Sequence, residues 1–194
     1  MIPSSCQKEQ LVVNGMSYAS RNGENANSAL LVQINDSDYG NELFAGLKYQ
    51  EDLEKKAFLM GHDYKACVQL AKDYLENKVS TQFEAVLPTY SIGTTFCDLN
   101  DLFSTEVNQA LHEALEHFEK KVPGFVSNGA ILSAVESRSS SSIRLVRDKS
   151  CVSNIQGLYP SGEGSGYAGG IMTSAIDGIR CAEHLIQYYA KEEC

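Results

Sequence analysis

The sequence of 194 residues lacks several patterns that mark common protein classes. No hydrophobic run is long enough for a transmembrane helix, and the first ten residues have neither the basic start nor the apolar core of a secretory signal. Positive charge is scarce, since 16 Lys and Arg face 25 Asp and Glu, for a formal net charge of −9. General binding to nucleic-acid phosphates is therefore disfavoured, although a local basic spot is compatible with this composition.

Cysteine and histidine are present but lack the spacing of a metal site or a disulfide scaffold. No two of the six cysteines form a C-x-x-C pair, and their spacings run from 13 to 61 residues. No two of the four histidines lie four residues apart, and His112 and His117, five apart, would project from different faces of a helix. We expect free thiols in a cytoplasmic protein, some of them buried, and no metal centre.

Helical periodicity marks four segments of the chain. Apolar residues recur every three or four positions over 41–60, 64–75, 104–122 and 168–189. Gly61 and Asp63 separate the first two segments, which predicts a helical hairpin or a kinked helix. Ser104 is the predicted N-cap of the third helix, and Pro123 with Gly124 should end it.

Short apolar runs between turn signals predict the strands. These runs are 29–34, 83–87, 130–135 and 142–146, with a short strand from 157 toward 162. The polar stretch 136–141 should join two of them as a hairpin, and 88–100 should be a loop. Because strands and helices do not alternate in a regular βαβ order, the pattern predicts an α+β fold with a mixed or antiparallel sheet.

The most informative segment is GLYPSGEGSGYAGGIMTSAIDG, residues 157–178, with five glycines between 162 and 170. A strand, a glycine turn and a helix start suit anions or carbonyl groups, because backbone N–H groups and the helix dipole face the ligand and glycine permits close approach. Residues 164–169 also match G-x-G-x-x-G, but the 25 residues after Gly169 are too few for the rest of a dinucleotide-binding unit. The alternative is a tight turn that only packs the helix on the strand.

Four blocks together resemble a family of uncharacterised FAD-dependent dehydrogenases, bacterial flavoproteins of two domains. The glycine segment resembles their C-terminal flavin-binding segment, and three further blocks match in order: NGMSYASRNGENANSALLV (14–32), LPTYSIGTTFCDL (87–99) and GAILSAVESRSSSSIRLVRD (129–148). The resemblance covers about residues 11–187. It implies a substrate or cap-like domain over 1–155, and over 156–194 the strand, glycine turn and helix that complete a FAD-binding domain.

In that family an N-terminal Rossmann half carries the fingerprint for the FAD pyrophosphate, and no such fingerprint is found here. The resemblance therefore implies a C-terminal piece of a FAD-dependent oxidoreductase, inactive alone, unable to retain FAD and completed by the missing N-terminal half. The alternative is a standalone small-molecule-binding or interaction module without redox activity. We expect no nucleic-acid or membrane partner, an unknown small-molecule substrate, and possible self-association through an exposed domain face.

The resemblance also implies which residues lie near FAD. They are Gly162, Glu163, Gly164, Gly166, Tyr167, Gly169, Gly170 and Ile171. Glu163 would lie near the ribityl chain or pyrophosphate, with a solvated turn carboxylate as the alternative. Residues 169–171 would face the flavin N1–C2=O edge, where N–H donors and a helix dipole stabilise the negative charge of reduction.

Other polar side chains leave more than one interpretation open. Arg138 and Arg144 flank the serine run 139–142 and would suit a carboxylate or phosphate, or they are exposed charges of a hairpin. Tyr90 and Tyr167 would either stack on a ring or pack, and packing is favoured. No nucleophile–base pair is evident, which is compatible with a flavin enzyme because the cofactor performs the hydride chemistry.

Overall fold

The computed structural model describes residues 2–4, 7–89 and 91–190. Its contacts divide the chain into two compact units. The first is drawn from Met1–Asp38 and Tyr49–Ser137, and the second from Tyr39–Lys48 and Arg138–Cys194. The functional domain boundary expected between residues 155 and 156 stays a prediction.

Five strands and five helices form the regular structure of the described residues. The strands are β1 (Ile2–Ser4), β2 (Val12–Asn14), β3 (Ala66–Leu70), β4 (Thr94–Phe96) and β5 (Ile131–Ala134). The helices are α1 (Asp36–Tyr39), α2 (Ala45–Gly61), α3 (Ala71–Leu75), α4 (Thr105–Lys121) and α5 (Ile171–Tyr189), with a 3₁₀ turn at Leu99–Asp101. The predicted α+β class is confirmed.

The main sheet of the first unit is mixed, with β3 at its centre. β4 runs parallel to β3, β5 runs antiparallel on its other side, and β1 and β2 form a separate antiparallel pair. All five residues of β3 are buried. The core around it contains Leu11, Ala57, Tyr74, Leu102 and Leu115.

The predicted helix over 64–75 is wrong for most of its length, and so is the predicted helical hairpin. Residues 66–70 form β3, and only 71–75 are helical. A central strand that is buried on both faces has no alternating pattern, and its apolar positions also fit a helical stripe. The predicted loop over 88–100 contains β4, which exists because it pairs with β3.

The helix predicted at 104–122 is confirmed, as is its N-cap. The Ser104 side chain accepts a hydrogen bond from the Val107 N–H at 3.4 Å. Val107 and Leu115 are buried, which places one stripe of α4 on the core. After the helix the Glu119 carboxylate accepts the N–H groups of Gly124 and Val126, at 3.0 and 2.6 Å.

Helix α2 confirms the segment predicted at 41–60, although the helix begins at Ala45 and residues 41–44 are bends and turns. Three side chains donate to carbonyl groups at its C-terminal end. They are Cys67 to Ala57 O, Cys97 to Met60 O and Thr95 to Gly61 O, at 3.2, 3.1 and 2.8 Å. Two of these acceptors, Met60 O and Gly61 O, belong to the last turn, whose carbonyl groups a helix leaves without an internal partner.

Four predicted strands are wrong. Residues 29–34, 83–87, 142–146 and 157–162 are coil or turn, because none of them has a ladder partner among the described residues. The 142–146 segment, expected in a hairpin, instead runs beside the glycine turn, where the Leu145 N–H donates to Ser165 O at 3.2 Å. The strand predicted at 130–135 is confirmed as β5.

The second unit contains the helix predicted at 168–189, which begins at Ile171. Of the expected strand, turn and helix, the turn and the helix are present. The described cysteines, Cys67, Cys97, Cys151 and Cys181, are free and buried. No helix of the described chain combines the length and the apolar character needed to cross a bilayer.

Candidate functional site

The glycine turn is a compact loop closed by its own backbone. The Gly166 N–H donates to Glu163 O at 2.8 Å, and the Tyr167 N–H donates to Gly162 O at 3.1 Å. Gly162 and Gly166 have φ values of +74° and +78°, which L side chains rarely adopt. The sequence is thus rich in glycine here partly because the loop needs a left-handed backbone.

The glycines of the turn serve two different purposes. A Cβ on Gly166 would lie 2.6 Å from Ile143 O and 3.0 Å from Arg144 Cα, so this position allows the neighbouring segment to pack closely. A Cβ on Gly164 or Gly169 would meet no heavy atom within 4 Å. Close packing accounts for Gly166, and an open backbone that a ligand can approach remains at Gly164 and Gly169.

Helix α5 begins directly after this turn without a capping side chain. Gly170 is the N-cap residue, and its carbonyl accepts the Ser174 N–H at 2.9 Å. Ile171, the first helical residue, is 90% exposed. The first N–H groups of this 19-residue helix, at the positive end of its dipole, therefore have no side-chain acceptor within the described part of the chain.

A buried ion pair connects the turn to the helix. Arg147 donates to both carboxylate oxygens of Asp177, at 2.6 and 3.0 Å, and their side chains are only 10% and 11% exposed. Asp177 also accepts the Gly162 N–H at 2.9 Å, and Arg147 donates to Pro160 O at 2.7 Å. The hydrogen-bonded Arg147 guanidinium lowers the pKa of Asp177, and the carboxylate raises the pKa of Arg147.

This pair is not among the predicted site residues, because its members are 30 residues apart in the sequence. Within α5 nothing in the sequence distinguished Asp177, because Arg180 and Glu183 of the same helix also carry charge. A carboxylate at a helical position that turns out to be buried requires a partner, and an arginine in a neighbouring segment is the usual one.

The Tyr167 ring is packed against two arginines. The Arg147 and Arg144 guanidinium carbons lie 3.7 and 4.6 Å from its centroid. The Tyr167 hydroxyl accepts a hydrogen bond from the backbone N–H of Arg147 at 3.0 Å. These contacts give the ring a packing role within the unit, and its place in a flavin site stays a prediction. Tyr90 lies outside the described residues.

The other predicted site residues are placed as follows. Arg144 is exposed and its Nε donates to Gly166 O at 3.1 Å, so it lies at the glycine turn. Arg138 is half-buried, and its predicted role in binding an anion stays a prediction, as does that of Arg144. Glu163 is half-buried, and its carboxylate makes no hydrogen bond or ion pair with any described residue. In the serine run, the Ser141 hydroxyl donates to Ile143 O at 2.9 Å.

The exposed side of α5 is its apolar side. Ile171, Met172, Ile179 and Ile186 are between 59% and 90% exposed, whereas the buried residues of the helix are Asp177 and Cys181. A surface helix normally buries its apolar stripe. Exposed stripes of this kind are typical of interaction surfaces, and the partner expected at an exposed face stays a prediction.

The first unit carries a separate polar depression on its surface, open to solvent, with a volume of about 420 Å³. Its lining includes Asn77, Asn100, Asn108, Gln109, His112 and Glu113. Beneath it the buried Tyr74 hydroxyl donates to Asn108 Oδ1 at 2.7 Å, and His112 Nε2 lies 2.9 Å from Asn100 Oδ1. Burial raises the pKa of Tyr74, so this hydroxyl remains a hydrogen-bond donor.

Two comparisons with known proteins bear on these sites. A family model described as FAD-dependent protein, C-terminal domain-like, matches residues 1–139. An uncharacterized protein of Clostridium beijerinckii is 42% identical over 192 residues, which is 97% of this chain and 36% of that protein. The chain thus spans about a third of that relative's length. The family match ends before the glycine turn, and the alignment with the relative includes it.

Proposed function

From the premise that the chain belongs to the FAD-dependent protein, C-terminal domain-like family, we propose that it is part of a FAD-dependent oxidoreductase of the dehydrogenase type. It supplies the substrate-side α+β domain and the helix start that faces the flavin. When bound, FAD supplies the transfer of a hydride or electron pair between the substrate and the flavin. In this proposal the protein works in the cytoplasm.

The observation that carries the proposal is the uncapped start of α5 beside an open glycine backbone. The donor set fits the cofactor, because first-turn N–H groups and the positive helix end suit a carbonyl edge that gains negative charge. Gly164 and Gly169 leave room for close approach. In this arrangement Gly169, Gly170 and Ile171 hold the flavin edge.

Charged groups at the turn fit the polar part of the cofactor. Arg144 is exposed beside Gly166 and would offset the charge of a phosphate. The Glu163 carboxylate, which no described residue engages, would accept hydrogen bonds from ribityl or ribose hydroxyl groups. Arg138 is proposed as a further anion contact.

The apolar face of α5 supports a second part of the proposal, a covering FAD-binding half. The aligned relative is much longer than this chain, which corresponds to 36% of it. Covering exposed isoleucine and methionine side chains would contribute about 1–2 kcal/mol each at the exposures observed. Without that half, the same face would promote self-association and the chain would have little activity.

Titration of the purified chain with FAD tests the proposal. We expect weak binding, seen as shifted backbone amide signals of residues 169–173, and loss of flavin absorbance on desalting. Gly169→Val should abolish the shifts, because its side chain would fill the open approach, whereas Gly178→Ala in the middle of α5 serves as the matched control. Tight stoichiometric retention of FAD would contradict an incomplete site, and an unchanged spectrum would contradict the flavin contact.

A second candidate function, a standalone small-molecule-binding module, would use the open polar depression on the surface of the first unit. Its lining offers amide, imidazole and carboxylate groups to a hydrogen-bonding ligand. Titration with spermidine and with glucose, as cationic and neutral probes, tests this function through the His112 and Asn100 side-chain signals. Saturable shifts that Asn100→Ala removes would support the module, and linear or absent shifts would reject it for these ligand classes.

A further inference from the structure

We infer that Arg147 and Asp177 are positioning residues of the flavin site, which hold the glycine turn in a fixed register against the first turns of α5. The inference rests on the function proposed above and concerns residues to which neither the family resemblance nor the predicted site assigns a role.

The contacts of the pair reach both ends of the turn. Asp177 accepts the Gly162 N–H at its start and Arg147 donates to Pro160 O just before it. At the far end, the Arg147 guanidinium lies over the Tyr167 ring, and the backbone N–H of the same residue donates to the tyrosine hydroxyl. Because Asp177 is itself in the second turn of α5, one ion pair fixes both ends of the loop relative to the helix.

Stability alone does not account for a pair of this kind. Replacing a buried ion pair by apolar residues of similar volume is often neutral or stabilising, because desolvation offsets most of the attraction. Unlike apolar contacts, an ion pair with directional hydrogen bonds fixes the relative orientation of the groups that it joins. The planar guanidinium donates two parallel bonds to the carboxylate and a third to Pro160 O, which fixes an orientation that apolar contacts do not specify.

The chemistry of the site needs that orientation. A group held at the N-terminus of α5 would be held by N–H donors, whose strength falls steeply when donor and acceptor are misaligned. A glycine turn has little intrinsic rigidity. Glycine lets a ligand approach the backbone closely but leaves the turn flexible, and the ion pair restricts that flexibility.

Five variants of the full chain test the inference. Asp177→Asn and Arg147→Lys remove the parallel bonds and keep the side-chain size approximately. Glu183→Gln and Arg180→Lys make the same chemical changes at exposed positions of the same helix. A double variant, Arg147→Met with Asp177→Leu, replaces the pair by apolar residues.

Two readouts are compared for each variant. Amide hydrogen exchange at Gly162 and Tyr167 measures the order of the turn, and FAD-induced shifts at residues 169–173 measure cofactor contact. We expect faster exchange by about tenfold or more and FAD affinity reduced by about tenfold in both single variants. The double variant should show the same losses even if its melting temperature equals that of the natural chain. The controls should match the natural chain, and α4 amides should be unchanged in all variants.

The possible results separate the inference from the proposed function. If the natural chain responds to FAD and the double variant responds equally, the positioning role is overturned and the flavin site stands. If the natural chain itself shows no response to FAD, both are overturned. If Arg147→Lys retains normal exchange and affinity, the parallel bonds are not what positions the turn, and the inference is again overturned.

Discussion

Gly166→Ala is the substitution to which the glycine turn should be most sensitive. Its φ of +78° lies in the region that L side chains rarely adopt, and a Cβ would lie 2.6 Å from the Ile143 carbonyl oxygen. Both obstacles are backbone features, so no flexible side chain can move away to relieve them. The neighbouring segment or the turn has to shift.

The magnitude follows from these two effects. A left-handed alanine costs about 1–2 kcal/mol relative to glycine, and an overpacked contact adds about 1–3 kcal/mol. Alanine also restricts the unfolded chain, which returns about 0.4–1 kcal/mol. The net expectation is a loss of about 3 kcal/mol in the free energy of unfolding of the second unit.

Gly164→Ala is the matched control in the same loop. Its Cβ meets nothing within 4 Å and its φ lies outside the left-handed region, so stability should stay within about 1 kcal/mol of the natural chain. Urea unfolding followed by the NMR signals of α5, with α4 signals as an internal reference, measures both variants. Equal urea midpoints for the two alanine variants would refute the distinction between Gly166, which allows close packing, and Gly164, which leaves open backbone for a ligand.

Three further predictions concern other parts of the chain. Hydrogen bonds from the backbone N–H groups of Val126 and Gly124 and from the Ser127 hydroxyl lower the pKa of Glu119 to about 2. The contribution of the Glu119 carboxylate to stability should therefore be fully present above the ordinary pKa of a glutamate and be lost as the pH falls toward 2. NMR titration of the Glu119 carboxyl carbon measures this pKa, and Glu119→Gln should reduce the dependence of stability on acid pH. Tyr74→Phe should cost about 1–2 kcal/mol in urea unfolding, because Asn108 Oδ1 loses its donor, and a cost near zero would show that the bond is not needed. Ile179→Glu with Ile186→Glu should reduce self-association in sedimentation experiments while α5 stays folded; unchanged association would move the interaction surface elsewhere.

The elements that sequence analysis predicted are those whose stability is mostly local. Helix α4 has a Ser104 cap, a regular apolar stripe and a terminating glycine, and all three signals lie within the segment. Helices α2 and α5 were found in the same way, whereas β5 was found from its apolar composition although it depends on pairing with β3. The strand predicted at 29–34 has the right composition but no partner among the residues that the structure describes, and a strand without a partner has no ladder to stabilise it.

The missed elements depend on contacts between distant segments. β4 has three residues and exists by pairing with β3, and β3 resembles a helix because it is buried on both sides. At the site, glycine spacing and the following helix could be recognised from the sequence. The Arg147–Asp177 pair could not, since only folding brings 147 and 177 together.

Because each unit contains two buried thiols, the rate of local opening can be measured in each unit separately. Cys67 and Cys97 are buried beneath the end of α2 in the first unit, and Cys151 and Cys181 are buried in the second. A buried thiol is alkylated only when its surroundings open. The alkylation rates of the four cysteines therefore report how often each unit opens locally, without any substitution in the protein. A cofactor that orders the glycine turn should slow labelling at Cys181, which contacts Arg147, and leave the rate at Cys67 unchanged.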